Sequence, residues 1–370
     1  MESDDRSHAG VATFGAQTPS DMLCVGGSTR SNMQVRQLDE KGCAVRAGVD
    51  IGGTKTLAVV IDSDCRPVQQ LRLPTGFGSE ALLVTAVEAV SRVATLAGIS
   101  IEVLESIGIG IPGTVDNASG RVTHAVNLGI DDLDLGTELH DRLGLVVHVE
   151  NDVNAAAFGA FHMVGTREAG SMAYLNLGTG LAAGLVLNGE LWRGSRGAAG
   201  EIGHIPVDPN GPVCSCGQRG CLEAMASGSA VTRQWPTAHP CPVQELFEAA
   251  QGGNALALDV KQRLVENVAS AVRALVLTVD VDIVVIGGGI SSLGEPLLGE
   301  VRAVLDSRAA MSPFLASLDL ADRVRILPSG FPAAAVGAAL LGTAWIPAST
   351  GTAPQTTTIS ASPAPNPTCT

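Results

Sequence analysis

Four side chains that commonly bind zinc lie close together between Gly197 and Glu223. They are one histidine and three cysteines, namely His204, Cys214, Cys216 and Cys221. One imidazole and three thiolates form the ligand set of a closed tetrahedral zinc site. Glycines between the cysteines allow the positive φ angles that a tight knuckle needs. The cluster therefore predicts a structural Zn²⁺, and the alternative is three reduced thiols that share a loop.

A glycine-rich loop near the start of the chain could bind phosphate. Arg46 to Asp62 reads as two apolar strands joined by a short turn. The candidate residues in and before this turn are Asp50, Gly52, Gly53, Thr54 and Lys55. Their spacing is not that of a Walker A loop, but backbone N–H groups, a threonine and a lysine can still hold phosphate oxygens. An ordinary hairpin turn is the alternative.

The same pattern of strand, Gly-Thr loop and strand returns later in the chain. Residues 172–191 contain Gly178, Thr179 and Gly180 in the second loop. A further apolar strand, residues 281–286, ends in Gly287 and Gly288, for which a plain turn is the alternative. The repeat predicts two related α/β halves that face each other across a cleft. The second loop would then bind the phosphates of a nucleotide from the opposite side.

A polar pair, Asn151 and Asp152, lies between a short apolar strand and an alanine-rich helix. Both residue types are good helix N-caps, and this structural role is the simplest interpretation. A carboxylate at a helix N-terminus is also expected to be held in its ionised form. An ionised and oriented Asp152 could accept a proton from a hydroxyl that attacks phosphorus.

Several of these motifs together resemble a known family. The stretch G-x-x-G-E-x-G-H, followed by C-x-C-G-x-x-G-C-L-E, is similar to the signature of the ROK family of sugar kinases and repressors. The arrangement most resembles the bacterial ATP-dependent glucokinases of that family. The resemblance covers Val45 to Ala344 and implies an α/β fold of the actin-like (ribonuclease H-like) ATPase type. Such a fold has two α/β domains around a cleft.

The resemblance also implies roles for individual residues. It makes Asp152 the catalytic base, and it assigns hexose contacts to Gly113, Asn151, Asp152, Glu201, His204 and Glu223. The loops at residues 50–55 and 178–180 would contact the phosphates of MgATP, with Asp50 helping to place Mg²⁺, and Gly287 and Gly288 would lie beneath the adenosine. If one nitrogen of His204 binds zinc, the other can donate a hydrogen bond to the sugar.

Composition limits the remaining possibilities. The chain has 370 residues and a net charge of −14 without a basic block, which argues against a nucleic-acid partner. It has neither an apolar run long enough to span a membrane nor a visible secretory signal, so we expect a cytoplasmic protein. We predict domains at residues 45–165 and 166–345, the second with the zinc knuckle, between disordered ends at 1–44 and 346–370. Family members usually form dimers or tetramers, so a homo-oligomer is expected.

The motifs predict phosphorylation of glucose at its 6-hydroxyl by ATP, and two alternatives stay open. The first is a kinase of the same family that acts on N-acetylmannosamine, N-acetylglucosamine, allose or fructose. The second is a non-catalytic sugar sensor or repressor. The intact Asp50, Lys55 and Asp152 and the absence of a recognisable DNA-binding segment argue against the second alternative.

Overall fold

The computed structural model describes residues 45–164 and 170–342, and the predicted disordered ends lie outside these residues. The first part of the chain contains eight strands and three helices within the described residues. In chain order they are β1 (Val45–Ile51), β2 (Lys55–Ile61), β3 (Pro67–Pro74), α1 (Ser79–Leu96), β4 (Leu104–Ile111), β5 (Thr114–Asp116), β6 (Arg121–Ala125), β7 (Ile130–Leu133), α2 (Leu135–Leu143), β8 (Val147–Asn151) and α3 (Asp152–Val164).

In the second part of the chain strands and helices alternate less regularly, and this part contains most of the helices. Its elements are β9 (Ser171–Leu177), β10 (Leu181–Leu187), β11 (Glu190–Trp192), α4 (Leu222–Ala226), α5 (Gly228–Gln234), α6 (Pro242–Gln251), α7 (Ala255–Val279), β12 (Ile283–Gly287), α8 (Glu295–Ala310), α9 (Pro313–Ala316), β13 (Val324–Ile326) and α10 (Ala333–Leu341). Short 3₁₀ turns at Ile202–His204 and Gly289–Leu293 belong to the candidate site described below.

Two five-stranded sheets have the same topology, which confirms the internal repeat. Their strand orders are β3-β2-β1-β4-β8 and β11-β10-β9-β12-β13. In each sheet an antiparallel hairpin, β1–β2 or β9–β10, continues into parallel pairing with a later strand. Because the carboxyl ends of the parallel strands meet at one edge, each sheet presents its loops on the same side. This architecture is the predicted actin-like fold of two α/β halves. Strands β5, β6 and β7 form a separate small sheet beside the first half.

Each sheet is covered on its outer face by helices with an apolar stripe. In α1 the buried residues Leu82, Leu83, Val90 and Val93 recur at helical spacing, so this face packs onto the first sheet. The 25-residue helix α7 does the same in the second half, where Leu264, Val268, Val272 and Leu275 are buried.

Two small-residue helices, α3 and α10, pack between the sheets and contact each other closely. A Cβ atom on Gly159 would lie 2.1 Å from the carbonyl oxygen of Ala333, and one on Gly337 would lie 1.7 Å from that of Ala155. Only glycine at both positions permits this approach of one backbone to the other.

Each central helix also lies against the sheet of the other half. Helix α10, which follows the second half in sequence, lies directly on β1, where a Cβ on Gly48 would be 1.9 Å from the carbonyl oxygen of Ala335. Helix α3, which follows the first half, packs on β10, where a Cβ on Gly184 would be 2.5 Å from the Ala157 side chain. A division of the chain near residue 165 therefore stays a prediction: it falls on undescribed residues, and the central helices cross it in space. None of the helices in the described ranges combines the length and apolar character needed to cross a membrane.

Candidate functional site

The junction between β8 and α3 is built by Asn151. Its side-chain oxygen accepts hydrogen bonds from the backbone N–H groups of Val153 (3.0 Å) and Asn154 (3.2 Å), so Asn151 caps the helix. Its side-chain nitrogen donates to the carbonyl oxygen of Gly113 at 3.3 Å. Asn151 thereby fixes both the start of α3 and the loop after β4. Asp152 takes the first helical position, and its carboxylate accepts from the N–H of Val153 at 3.0 Å.

Two half-buried aspartates, one near the end of β1 and one directly after β8, face one cavity. Asp50 and Asp152 both line a space of about 290 Å³ at the base of the cleft, together with Tyr174 and the segment 327–334. The pKa of Asp152 is raised to about 6, mainly by burial and also by the charge of Glu201. The hydrogen bond from the Val153 N–H opposes this shift. Burial, together with the charge of Asp152, raises the pKa of Asp50 to about 7.

The helix N-terminus is expected to lower the pKa of Asp152, but burial raises this pKa by more. The backbone N–H does favour the ionised carboxylate, but removal of the group from water opposes it more strongly. Asp152 is still ionised above about pH 6. A pKa near the working pH suits a general base better than the ordinary aspartate value does.

A larger cavity, of about 1220 Å³, opens between the glycine loops of the two halves. Its lining includes Lys55 from the first half and Gly178 and Thr179 from the second. Gly289 belongs to the lining of this cavity and also to that of the aspartate cavity. The structure thus brings together Lys55 and the second Gly-Thr loop, as the repeat predicts.

The hairpin loop between β1 and β2 has the geometry of a tight turn. The N–H of Gly52 donates to the carbonyl oxygen of Lys55 at 3.0 Å, which folds Gly53 and Thr54 out of the sheet. The loop therefore places Lys55 at the mouth of the large cavity, while Gly52, Gly53 and Thr54 are not among the residues that line it.

The second loop, residues 178–180, is fixed by hydrogen bonds from the start of α5. The N–H groups of Gly228 and Ser229, at the start of α5, donate to the carbonyl oxygens of Gly178 (2.8 Å) and Thr179 (3.2 Å). Glu223 supports the other side of the loop, since its carboxylate accepts from the N–H of Leu181 at 3.1 Å. A Cβ on Gly180 would lie 2.6 Å from this carboxylate, so a side chain there would displace Glu223 from the loop.

Of the two glycines at the end of β12, Gly287 and Gly288, only one faces the cleft. A Cβ on Gly287 would lie 2.2 Å from the hydroxyl of Tyr174, which covers this residue. Gly288 has a φ of 81° and lines the aspartate cavity. Of this predicted pair, Gly288 is therefore the one whose backbone reaches the cleft. Burial also raises the pKa of Tyr174 well above its usual range.

A small polar cavity of about 130 Å³ lies beside the Asn151 junction. Among the residues predicted to contact the sugar, Gly113, Asn151 and Glu201 line it. His204 and Glu223 do not line it. Val153 lines both this cavity and the aspartate cavity, so the two adjoin at the start of α3.

The predicted zinc ligands converge on one point. The ligand atoms of His204, Cys214, Cys216 and Cys221 all lie within 4.8 Å of one another. The Sγ atoms of Cys216 and Cys221 are 3.8 Å apart, and Nδ1 of His204 is 3.7 Å from Sγ of Cys214. A tetrahedral zinc with Zn–S bonds of about 2.3 Å has its sulfurs roughly 3.8 Å apart. The four side chains therefore fit a tetrahedral metal ion, in a cluster that the sequence predicts correctly.

The orientation of His204 leaves one nitrogen free of the cluster. Nδ1 faces the cysteines, whereas Nε2 points towards Glu201, whose carboxylate is 3.9 Å away. The cysteine loop itself is closed by the N–H of Cys214, which donates to the carbonyl oxygen of Gln218 at 2.8 Å. Hydrogen bonds from Gln218 lower the pKa of Cys216 to about 6, which favours the thiolate that binds metal.

Comparison with known proteins agrees with this geometry. Residues 46–344 match the sequence profile of the family described as the ROK family. The chain belongs to the ROK family. It is 34% identical over 274 residues to a glucokinase of Thermotoga maritima, a match that covers 69% of this chain and 85% of the relative. It is 35% identical over 268 residues to an N-acetylmannosamine kinase of Vibrio vulnificus, with 70% and 87% covered.

A solved structure in the family shows the same fold. The ROK family glucokinase from Streptomyces griseus, in complex with glucose and AMPPNP, has a TM-score of 0.68 and 30% sequence identity to this chain. The alignment covers 81% of this chain and 99% of that one.

Among the residues of the small polar cavity that were not predicted from the sequence, four form one hydrogen-bonded group. They are Asn117, Glu150, Asn154 and Arg193. One signal was present, because Glu150 ends an otherwise apolar strand and a charge at such a position needs a partner. The partner, Arg193, comes from the other half of the molecule, and no local pattern in the sequence points to it.

Proposed function

We propose that this ROK family protein is an ATP-dependent hexose kinase that transfers the γ-phosphoryl group of MgATP to the 6-hydroxyl of glucose. The observation that carries the proposal is the position of Asp152. Its carboxylate lines the aspartate cavity at the base of the cleft. This cavity shares Val153 with the small polar cavity and Gly289 with the large cavity between the loops. Sequence identity to glucokinases supports glucose as the acceptor.

In the proposed reaction Asp152 accepts the proton of the 6-hydroxyl while that oxygen attacks the γ-phosphorus. The new O–P bond forms as the bond between the γ-phosphorus and the bridging oxygen breaks, and ADP leaves. Transfer of this kind depends mainly on positioning and charge stabilisation. Lys55 and the loop at Gly178–Gly180 would hold the phosphates from opposite sides of the large cavity, with Gly52, Gly53 and Thr54 shaping the first loop. When bound, Mg²⁺ neutralises phosphate charge, and Asp50 is the carboxylate placed to help hold it.

The sugar is proposed to bind at the small polar cavity and the adjoining surface of the zinc knuckle. Gly113, Asn151 and Glu201 would contact it from the cavity. His204 would bind a structural zinc through Nδ1 and donate to a sugar oxygen through Nε2, since ligation fixes the orientation of the ring. A closed site with three cysteines and one histidine leaves no open position, so zinc would not act as a Lewis acid. Glu223 would serve both the sugar and the 178–180 loop.

A panel of sugars tests the acceptor. ADP formation is measured with glucose, N-acetylmannosamine, N-acetylglucosamine, allose and fructose at equal concentration. We expect the largest kcat/KM with glucose. The identity to an N-acetylmannosamine kinase makes that sugar the second candidate, and a higher kcat/KM with it would replace glucose in the proposal. Absence of ADP formation with every sugar, combined with a shift of genomic DNA in a gel, would instead favour a repressor.

We also propose that the protein acts in the cytoplasm as a homo-oligomer, a dimer or tetramer, without a nucleic-acid or membrane partner. Support comes from the acidic net charge of −14 and from the behaviour of the family that the sequence resembles. Light scattering on the purified protein measures the mass in solution. A single species at the monomer mass across the micromolar range would contradict the proposed oligomer.

A further inference from the structure

The carboxylate of Glu150 is buried at the wall of the small polar cavity, and protein donors occupy both of its oxygens. Its side chain is 5% exposed. One oxygen, Oε1, accepts from the Asn151 N–H at 3.0 Å and from the Asn154 side chain at 3.1 Å. The other, Oε2, accepts from the Asn117 side chain at 2.9 Å and from two nitrogens of Arg193. Because these donors satisfy the carboxylate, Glu150 has little capacity left to bind a sugar hydroxyl.

Arg193 reaches Glu150 from the other half of the molecule. Its Nε lies 2.8 Å and its Nη2 2.6 Å from Oε2 of Glu150. Two nitrogens of the guanidinium therefore donate to the same carboxylate oxygen. Charge-assisted bonds of this kind, made to a buried carboxylate, are among the strongest in proteins. The pair therefore connects the end of β8 in the first half with the segment after β11 in the second half.

The segment that begins at Arg193 leads to Glu201, and its far end is anchored on the second half, where Ala199 packs against the hydrophobic core. Residues 194–198 are exposed to solvent. Gly194, Gly197 and Gly200 have φ angles of 74°, 74° and 94°, conformations that make the segment fold back on itself. Backbone hydrogen bonds from Ala199 to Arg193 (3.2 Å) and from Ala183 to Gly200 (2.8 Å) define the ends of this loop. Within this loop, Arg193 supplies the ionic contact to the first half.

We propose that the Glu150–Arg193 ion pair positions the sugar pocket across the cleft. By holding the loop of residues 193–201 against the first half, Arg193 sets the distance between Glu201 on one side and Asn151 with Gly113 on the other. Arg193 and Glu150 are thus positioning residues for the acceptor and do not contact the reacting atoms. This inference rests on the proposed function, because it assumes that the small polar cavity binds the sugar.

The first test is Arg193→Met, which keeps much of the side-chain volume and removes the charge and donors. Displacement of a binding group by about 1 Å can cost a factor of roughly 100. We therefore expect the KM for the sugar, and its Kd from calorimetry, to rise by about 10- to 100-fold. The KM for ATP should change by less than about twofold, because the ion pair is not part of the loop cavity. The variant Arg193→Lys, which retains one charged donor group, should fall between the wild type and Arg193→Met.

A control at another arginine tests whether loss of an ion pair by itself affects sugar binding. Arg142 makes a two-bond ion pair with Glu80 at 3.0 and 2.8 Å, and its side chain is 31% exposed, compared with 35% for Arg193. The partner carboxylates differ, since Glu80 is 72% and Glu150 5% exposed, so the double variant below controls for the buried charge. Neither residue of this control pair lines any of the three cavities described above. Arg142→Met should leave the sugar Kd and both KM values as in the wild type.

A second variant keeps the test decisive if the first one folds poorly. Removing one member of a buried pair leaves an unpaired charge and can prevent folding. The double variant, Glu150→Gln with Arg193→Met, leaves no unpaired charge at this position, so we expect it to regain stability while the sugar Kd stays high.

A wild-type sugar Kd in the double variant, or in folded Arg193→Met, would overturn the proposal and leave the pair with a purely structural role. A wild-type enzyme that phosphorylates no sugar would instead refute the proposed function.

Discussion

At saturating MgATP, where bound Mg²⁺ would keep Asp50 ionised, activity is expected to fall on the acid side with a midpoint near pH 6, because Asp152 must be ionised to accept the hydroxyl proton. Burial raises the pKa of this carboxylate from 3.8 to about 6, and the charge of Glu201 adds to the effect. With a pKa of about 6, one unit below the midpoint leaves roughly a tenth of the molecules ionised. At pH 5 we therefore expect kcat/KM to be about a tenth of its plateau, whereas an ordinary aspartate would still be almost fully active.

The assay is direct measurement of ADP in quenched samples between pH 4.5 and 8.5, which avoids coupling enzymes that fail in acid. Each sample is returned to pH 7.5 and assayed again, so that unfolding is distinguished from protonation. Asp152→Asn should reduce kcat by about 10²- to 10⁴-fold, the usual cost of losing a positioned base. Wild-type turnover in this variant would refute the assignment of Asp152 as the base, whereas a reversible midpoint close to pH 4 would refute the raised pKa.

Three further predictions concern the metal site, the central helices and the second buried aspartate. Cys216→Ser should reduce bound zinc, measured by elemental analysis, and weaken sugar binding with it; an equimolar zinc content would contradict the ligand assignment. Gly337→Ala should lower the free energy of unfolding by roughly 1–3 kcal/mol or more in chemical denaturation, since the new Cβ would meet the Ala155 carbonyl oxygen at 1.7 Å; an unchanged midpoint would show that the helices can separate freely.

For Asp50, the folded-state pKa of about 7 lies above the ordinary 3.8, so the folded protein binds the proton more tightly. Its contribution to the free energy of unfolding is complete below about pH 4 and is lost as pH rises through 7, a change of about 4 kcal/mol. In chemical denaturation Asp50→Asn should remove this contribution and leave the smaller loss, of the same sign, that comes from Asp152.

Much of the fold could be predicted because the informative residues are local. The two Gly-Thr loops, each between apolar strands, indicate the repeat, and the structure shows the same strand order in both sheets. The apolar spacing in residues 79–96 predicts a helix with the bounds that α1 has. The predicted metal ligands are also local, since three of them lie within eight residues of one another and His204 precedes the first by ten. Contacts between close neighbours in sequence leave a pattern that can be recognised.

Other features depend on partners far away in the chain. Arg193 lies 43 residues after Glu150, and nothing around it distinguishes it from a solvated surface arginine. The raised pKa of Asp152 could not be predicted from local sequence either. Its main cause is burial at the base of the cleft, which the sequence around a helix N-cap does not reveal. The crossing of α3 and α10 onto opposite sheets also requires the complete fold. All three features depend on contacts between the two halves of the molecule.

The dependence of Asp152 on both halves has a chemical consequence. Its burial requires the segment 327–334 and Tyr174 from the second half, and the charge of Glu201 comes from the same side. Separation of the halves would expose the carboxylate to water and lower its pKa towards the ordinary value. In the structure the halves are in contact, with Arg193 bonded to Glu150 and Asp152 largely removed from water. The sugar pocket and the raised pKa of the base therefore depend on the same contact between the halves.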